Sequence, residues 1–265
     1  MELGKRLVLV FVLVMLVGPA RAGFDEGVAA YERGDYETAF QEMLPLADQG
    51  NAKAQYNLGV MYDNGEGVPQ DDAEAVKWYR LAAEQGNAKA QNNLGFMYLN
   101  GKGVPQDYAE AVKWFRMAAE QGHAKAQTSL GFMYLNGKGV PQDYAEAVKW
   151  YRRAAEQGNA NAQNNLGLMY AKGQGVTQDY AEAVKWFRMA AEQGEGDAQY
   201  NLGVMYAKGQ GVTQDYVQAH IWFNLAAAQG DELGRENRDL VAKQMTPAQV
   251  AEAQRLARKW KPTTE

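Results

Sequence analysis

The string Asn-Leu-Gly-x-Met-Tyr returns along this chain at a constant step. Its leucine stands at 58, 94, 130, 166 and 202, each 36 residues after the last, with Ser129 replacing the asparagine once. Five full units follow from that step: 51–86, 87–122, 123–158, 159–194 and 195–230. Residues 87–122 and 123–158 differ at only five positions, 87, 92, 93, 115 and 117. A compact fold gives each segment a different environment and cannot keep such a repeat, whereas a solenoid gives each the same one.

Each unit reads as two helices. In 87–122, Asn87 is a good N-cap for a first helix reaching about Leu99. Ala90, Leu94 and Tyr98 fall at i, i+4 and i+8 and make one apolar stripe. Gly95, lacking a side chain, lets the second helix come close. Gly101 suits a left-handed helix end, and Pro105 cannot sit inside a helix. Asp107 then caps the second helix, with Glu110 placed to close a capping box. The pair returns as Asp71/Glu74, Asp143/Glu146, Asp179/Glu182 and Asp215/Gln218. One capping mechanism serves all five, so they are not read as acid–base pairs.

The second helix carries Ala111, Trp114, Phe115, Ala118 and Ala119 at i, i+3, i+4, i+7 and i+8. Trp78, Trp114, Trp150, Trp186 and Trp222 are therefore read as packing between repeats rather than as a ligand platform. Arg80, Arg116, Arg152 and Arg188, each with Glu four residues later, read as exposed intrahelical pairs worth about 0.3–0.5 kcal/mol.

The ends differ. Residues 23–50 read as an N-terminal helix pair with a short turn, Arg33 to Tyr36, and Pro45 inside its second helix. Residues 231–265 read as a helical cap: a helix over 231–244, then one opened by the capping box Thr246-Pro247-Ala248-Gln249. Residues 1–22 have the pattern of a signal peptide: Lys5 and Arg6, an apolar run from Leu7 to Val17, then Ala20-Arg21-Ala22. That run is shorter than the roughly 20 residues a spanning helix needs. The expectation is an exported protein, periplasmic in a Gram-negative host or else extracellular, with no stable membrane insertion after cleavage.

The formal net charge is −5, and removing the leader takes it to −7, with 24 basic and 31 acidic side chains left. An acidic chain is poorly matched to nucleic acid or anionic lipid. There is no cysteine, which excludes disulfides, cysteine-ligated zinc and a thiol nucleophile.

The unit resembles the Sel1-like repeat, a cousin of the tetratricopeptide repeat. The resemblance is carried by Ala-Lys-Ala-Gln-Asn-Asn-Leu-Gly-x-Met-Tyr, then Asn-Gly-x-Gly-Val-Pro-Gln-Asp-Tyr, Ala-Val-Lys-Trp-Phe and Ala-Ala-Glu-Gln-Gly, and it covers residues 51–230. Residues 24–50 look more like a plain tetratricopeptide unit, and 215–262 are similar to the C-terminal end of many bacterial Sel1-like proteins. The resemblance implies an all-α, right-handed α/α superhelix, or solenoid. It also implies an adaptor or scaffold role, with the first helix of each pair lining a concave face.

On that face, the columns that vary among repeats are the candidates for binding a protein or peptide. One holds Tyr56, Asn92, Thr128, Asn164 and Tyr200, and the next Val60, Phe96, Phe132, Leu168 and Val204. A third holds Asp63, Leu99, Leu135, Ala171 and Ala207. Phe96, Leu99, Phe132 and Leu135 would form an apolar patch, unless they pack between first helices. A further column is Asn57, Asn93, Ser129, Asn165 and Asn201. In related peptide-binding domains an Asn there holds a peptide backbone or carboxylate. The alternative is hydrogen bonding within the scaffold.

No cofactor, metal site or catalytic residue is read. Cysteine-rich Sel1-like relatives have been linked to β-lactam binding and hydrolysis. Here Ser129 is the sole serine, and Phe132 stands where a Ser-x-x-Lys motif needs lysine. His123 and His220 stand alone in different units. A homotypic structural spacer, in place of a monomeric binder, is the remaining alternative.

Overall fold

A computed structural model describes residues 18–263, with side chains from residue 23 onward. Fourteen helices and no strand occur among the described residues. The pairs are α1 (Gly18–Glu32) with α2 (Tyr36–Asp48), α3 (Ala52–Asn64) with α4 (Asp72–Glu84), and α5 (Ala88–Asn100) with α6 (Tyr108–Glu120). Then come α7 (Ala124–Asn136) with α8 (Tyr144–Glu156), α9 (Ala160–Lys172) with α10 (Tyr180–Glu192), and α11 (Gly196–Lys208) with α12 (Tyr216–Ala228). Two terminal helices follow, α13 (Glu232–Ala242) and α14 (Pro247–Lys259). They belong to two compact units, 1–85 and 86–265, each a stack of helix pairs as a helix-pair solenoid requires. Residues 1–17 of the leader lie outside the described residues, and α1 runs through Ala22, where the leader was read to end.

The glycine in each first helix sets the pair's closeness. A Cβ on Gly95 would meet the Phe115 ring at 2.6 Å, and one on Gly131 the Tyr151 ring at 2.8 Å. The turn needs two glycines for different reasons. Gly137 ends α7 in the left-handed conformation, at φ 65°. Gly139, also at positive φ, passes so near the Tyr108 carbonyl that a Cβ would overlap it. Stacking is then completed by tryptophan. Trp150 is buried among Ala111 and Phe115 of the preceding repeat and Leu130 and Met133 of its own, and Trp186 likewise among Val148 and Tyr151 of the preceding repeat and Leu166 of its own. The ladder is core. At the C-terminal end α14 folds back onto α12, with Trp260 edge-on to Trp222 at 6.4 Å.

Two local expectations are corrected. Asp71, Asp107, Asp143, Asp179 and Asp215 all accept from the first-turn amides of their helices. The reciprocal half of the capping box is absent there. The cap's own N–H is already spent on the preceding helix, as Asp143 N on Tyr134 O at 3.0 Å. The spare glutamate pairs instead with lysine one turn on, as Glu146 with Lys149 at 2.9 Å. Only Thr246 and Gln249 form the full box among the described helices. Three of the recurrent arginines bond to tyrosine rather than to the glutamate one turn on. Arg116, Arg152 and Arg188 donate to the hydroxyls of Tyr134, Tyr170 and Tyr206 in the next repeat, at 2.7, 2.7 and 2.6 Å.

Candidate functional site

The second unit carries a cavity of about 400 Å³ on its first helices, α5, α7, α9 and α11. One end is apolar: Phe96, Leu99 and Phe132. Phe96 and Phe132 remain 37% and 40% exposed, while smaller Leu168 and Val204 hold the column elsewhere. Phe96 keeps an edge-on contact with the core ring of Phe115 at 5.0 Å, so its position is fixed by the scaffold although its outer face is free. Thr128 and Ser129 line the middle. The other end is polar: Asn161, Asn164, Asn165, Glu195 and Asp197.

Glu195 is the N-cap of α11, its carboxylate accepting from Ala198 N. Burial pushes its carboxyl above the usual range; neighbouring Asp197 adds to the rise, and the Ala198 N–H opposes it. Asn164 is nine-tenths buried, and its Oδ1 accepts from Asn201 Nδ2 at 2.9 Å. Its own amide N–H groups donate to no acceptor among the described residues.

The other predicted residues have different surroundings. Asn92 is buried, its Nδ2 donating to Asn93 Oδ1 at 3.2 Å. Leu135 is half-buried against the core of its own and the next repeat, outside the cavity lining. Tyr200 packs on Phe223 at 5.7 Å and accepts from Asn237 of α13 at 3.3 Å, so the terminal helix covers it. Tyr56 and Asn57 line a separate cavity of about 370 Å³ in the first unit, with Val28, Tyr31, Met43 and Met61. There Asn57 Nδ2 meets Met43 Sδ at 3.7 Å. Beside it Tyr31 donates to Glu66 at 2.5 Å, and burial with that carboxylate raises its hydroxyl to about 12.

The asparagine column is therefore not one ladder. Asn57, Asn93 and Asn201 bond within the scaffold, Ser129 Oγ donates to Lys125 O at 3.0 Å, and Asn165 faces the cavity. Sequence reading missed Asn161, Glu195 and Asp197. Their signal lies in two columns whose variation was not used: Lys53, Lys89, Lys125, Asn161, Asp197, and the capping column Asn51, Asn87, His123, Asn159, Glu195.

A family model described as the Sel1 repeat matches residues 52–87, 88–123, 124–159, 160–195 and 196–231. A Sel1 repeat protein from Oxalobacter formigenes is 37% identical with a TM-score of 0.79, the match covering 92% of this chain and 99% of that one. A protective antigen present in uropathogenic Escherichia coli strains, displaying an SLR fold, is 42% identical with a TM-score of 0.81. That match covers 91% of this chain and 54% of the antigen, so the chain spans about half of the antigen's length. DAP3-binding cell death enhancer 1 of Rattus norvegicus is 42% identical over 50 residues, 19% of this chain and 10% of that protein. An exopolysaccharide production negative regulator of Rhizobium leguminosarum bv. viciae is 39% identical over 56 residues, 21% of each.

Proposed function

The chain belongs to the Sel1 repeat family, and from that premise we propose that it is an exported, non-catalytic adaptor holding a protein or peptide segment in the groove of its second unit. The observation that carries the reading is the pair Phe96 and Phe132. The core is complete without their outer faces, yet both stand in a groove beside the amides of Asn164 and Asn165. Apolar anchors beside amides that donate and accept suit an extended chain, whose side chains want burial and whose backbone wants hydrogen bonds. Fully covering two such rings is worth about 3–6 kcal/mol before the costs of association. Losing that would carry a micromolar complex into the millimolar range. Export rests on the leader pattern of residues 1–22.

The test is site-specific photocrosslinking in the producing cell, with p-benzoylphenylalanine at position 132 or at exposed position 117 on α6. A partner captured from 132, absent from 117 and lost on Phe96→Glu supports the groove. Equal capture at both positions, or capture indifferent to Phe96→Glu, rules the groove out. Hydrolysis of nitrocefin by the purified protein, abolished by Ser129→Ala, would overturn the non-catalytic assignment.

A further inference from the structure

Building on the groove reading, we propose that the groove selects an extended peptide carrying a basic side chain, held at Glu195 and Asp197, with an apolar side chain against Phe96, Leu99 and Phe132. Four observations converge on this occupant.

The first is a local reversal of charge. Position three of the unit is Lys89 and Lys125 in two repeats, then Asn161, then Asp197. The capping position is Asn87, His123 and Asn159, then Glu195. Both substitutions to acid fall in one repeat and both line the groove. Neither carboxylate forms an ion pair with any described basic side chain.

The second is that folding does not require these acids. Asn87 and Asn159 cap α5 and α9 without charge, and α5 and α7 form with lysine in the place of Asp197. Burial holds Glu195 where charging it costs free energy, and a ligand cation would offset that cost.

The third is Asn164. It is nine-tenths buried and lines the same groove, with Oδ1 satisfied by Asn201 and two N–H donors left over. Those donors suit a peptide carbonyl.

The fourth is register. Lys89 and Lys125 stand in the first turns of the helices that bear Phe96 and Phe132, so a cation at that end is repelled. The basic residue is thereby directed towards α11. Two helix-to-helix steps of roughly 10 Å separate α7 from α11. An extended chain crosses that distance in about six residues.

The experiment pans a displayed library of random linear peptides, about twelve residues long to allow for that span, on the purified protein. Enriched sequences should place Lys or Arg about six residues from an apolar side chain. A fluorescent copy of one is then titrated with the protein and with the double variant Glu195→Asn/Asp197→Lys. That variant gives the repeat the residues its sister has at Asn87 and Lys89, so the cap is kept. Affinity should fall at least tenfold, and Phe132→Ala should also weaken it. Enriched peptides without a basic residue, or undiminished by the double variant but lost on Phe132→Ala, overturn this inference while sparing the groove. Peptides indifferent to Phe132→Ala overturn both readings. No enrichment at all overturns this inference, and the crosslink at position 132 then decides the groove reading alone.

Discussion

Asn201 donates to Asn164 across 37 residues of sequence, joining the first helices of two successive repeats at 2.9 Å. The bond fixes which way the buried Asn164 amide faces: with Oδ1 held by Asn201, its N–H groups are left to the groove. Replacing Asn201 with leucine leaves that buried oxygen without a donor. The cost should be about 1–3 kcal/mol in urea unfolding. Peptide binding at the groove should weaken as well, because the amide is then free to flip. Asn93→Leu, at the same position three repeats earlier, removes a bond outside the cavity lining and should leave binding unchanged. Equal losses of binding from both would show that Asn164 is not oriented by Asn201.

Gly131 and Gly122 should respond to alanine for different reasons. At Gly131 a methyl would meet the Tyr151 ring at 2.8 Å, so α7 and α8 must separate. That overpacking should cost about 1–3 kcal/mol. At Gly122, φ is +89° and nothing lies within 4 Å, so only backbone strain of about 1 kcal/mol is expected. Comparing urea midpoints for Gly131→Ala and Gly122→Ala checks the order; the reverse order would contradict the close approach.

Most of the fold is written in the repeat. The 36-residue step, the Asp caps, the glycine opposite Phe115 and the tryptophan stripe are all local patterns repeated in register, and each forms where the sequence puts it. What escaped reading depends on neighbours outside the unit. Asn92 and Tyr200 occupy one column, yet Asn92 is buried within the array, while Tyr200 meets Asn237 because α13 follows it instead of a sixth repeat. The arginine column likewise looked intrahelical because glutamate lies one turn away, but the guanidinium reaches the tyrosine of the next repeat. The apolar end of the groove was legible because Phe96 and Phe132 depart from smaller residues in a variable column. Its acidic end depends on the first-turn and capping columns, whose change to acid falls in a single repeat, at Glu195 and Asp197.

Arg152 is therefore expected to matter through Tyr170 and not through Glu156. The guanidinium donates to the hydroxyl at 2.7 Å and lies against the ring at 5.7 Å. Arg152→Met should cost about 0.5–1.5 kcal/mol, and Tyr170→Phe should cost part of the same amount. Their double variant should cost less than the sum, since both remove one interaction. Glu156→Gln should change stability by less than about 0.5 kcal/mol. A larger effect of Glu156→Gln than of Tyr170→Phe would restore the intrahelical pair.

His123 replaces the asparagine cap of its sister repeats, and its Nδ1 accepts from Ala126 N at 3.2 Å. A protonated imidazole cannot accept, so the cap exists only in the neutral form. Burial, then Lys125 and Lys89, push its pKa below the ordinary value. The folded protein thus binds fewer protons than the unfolded chain in that window, and stability is lost as pH falls below about 6.5. Glu195 works in the opposite sense. Burial raises its carboxyl, so the folded state binds more protons, and its contribution falls as pH rises from about 4.3 through the raised value. Urea midpoints across pH separate the two. His123→Asn should gain on the parent protein only below about pH 6.5, whereas Glu195→Gln should gain on it as pH rises above about 4.3. A His123→Asn advantage that persisted undiminished at neutral pH would mean that the histidine cap is weak for a reason other than its charge.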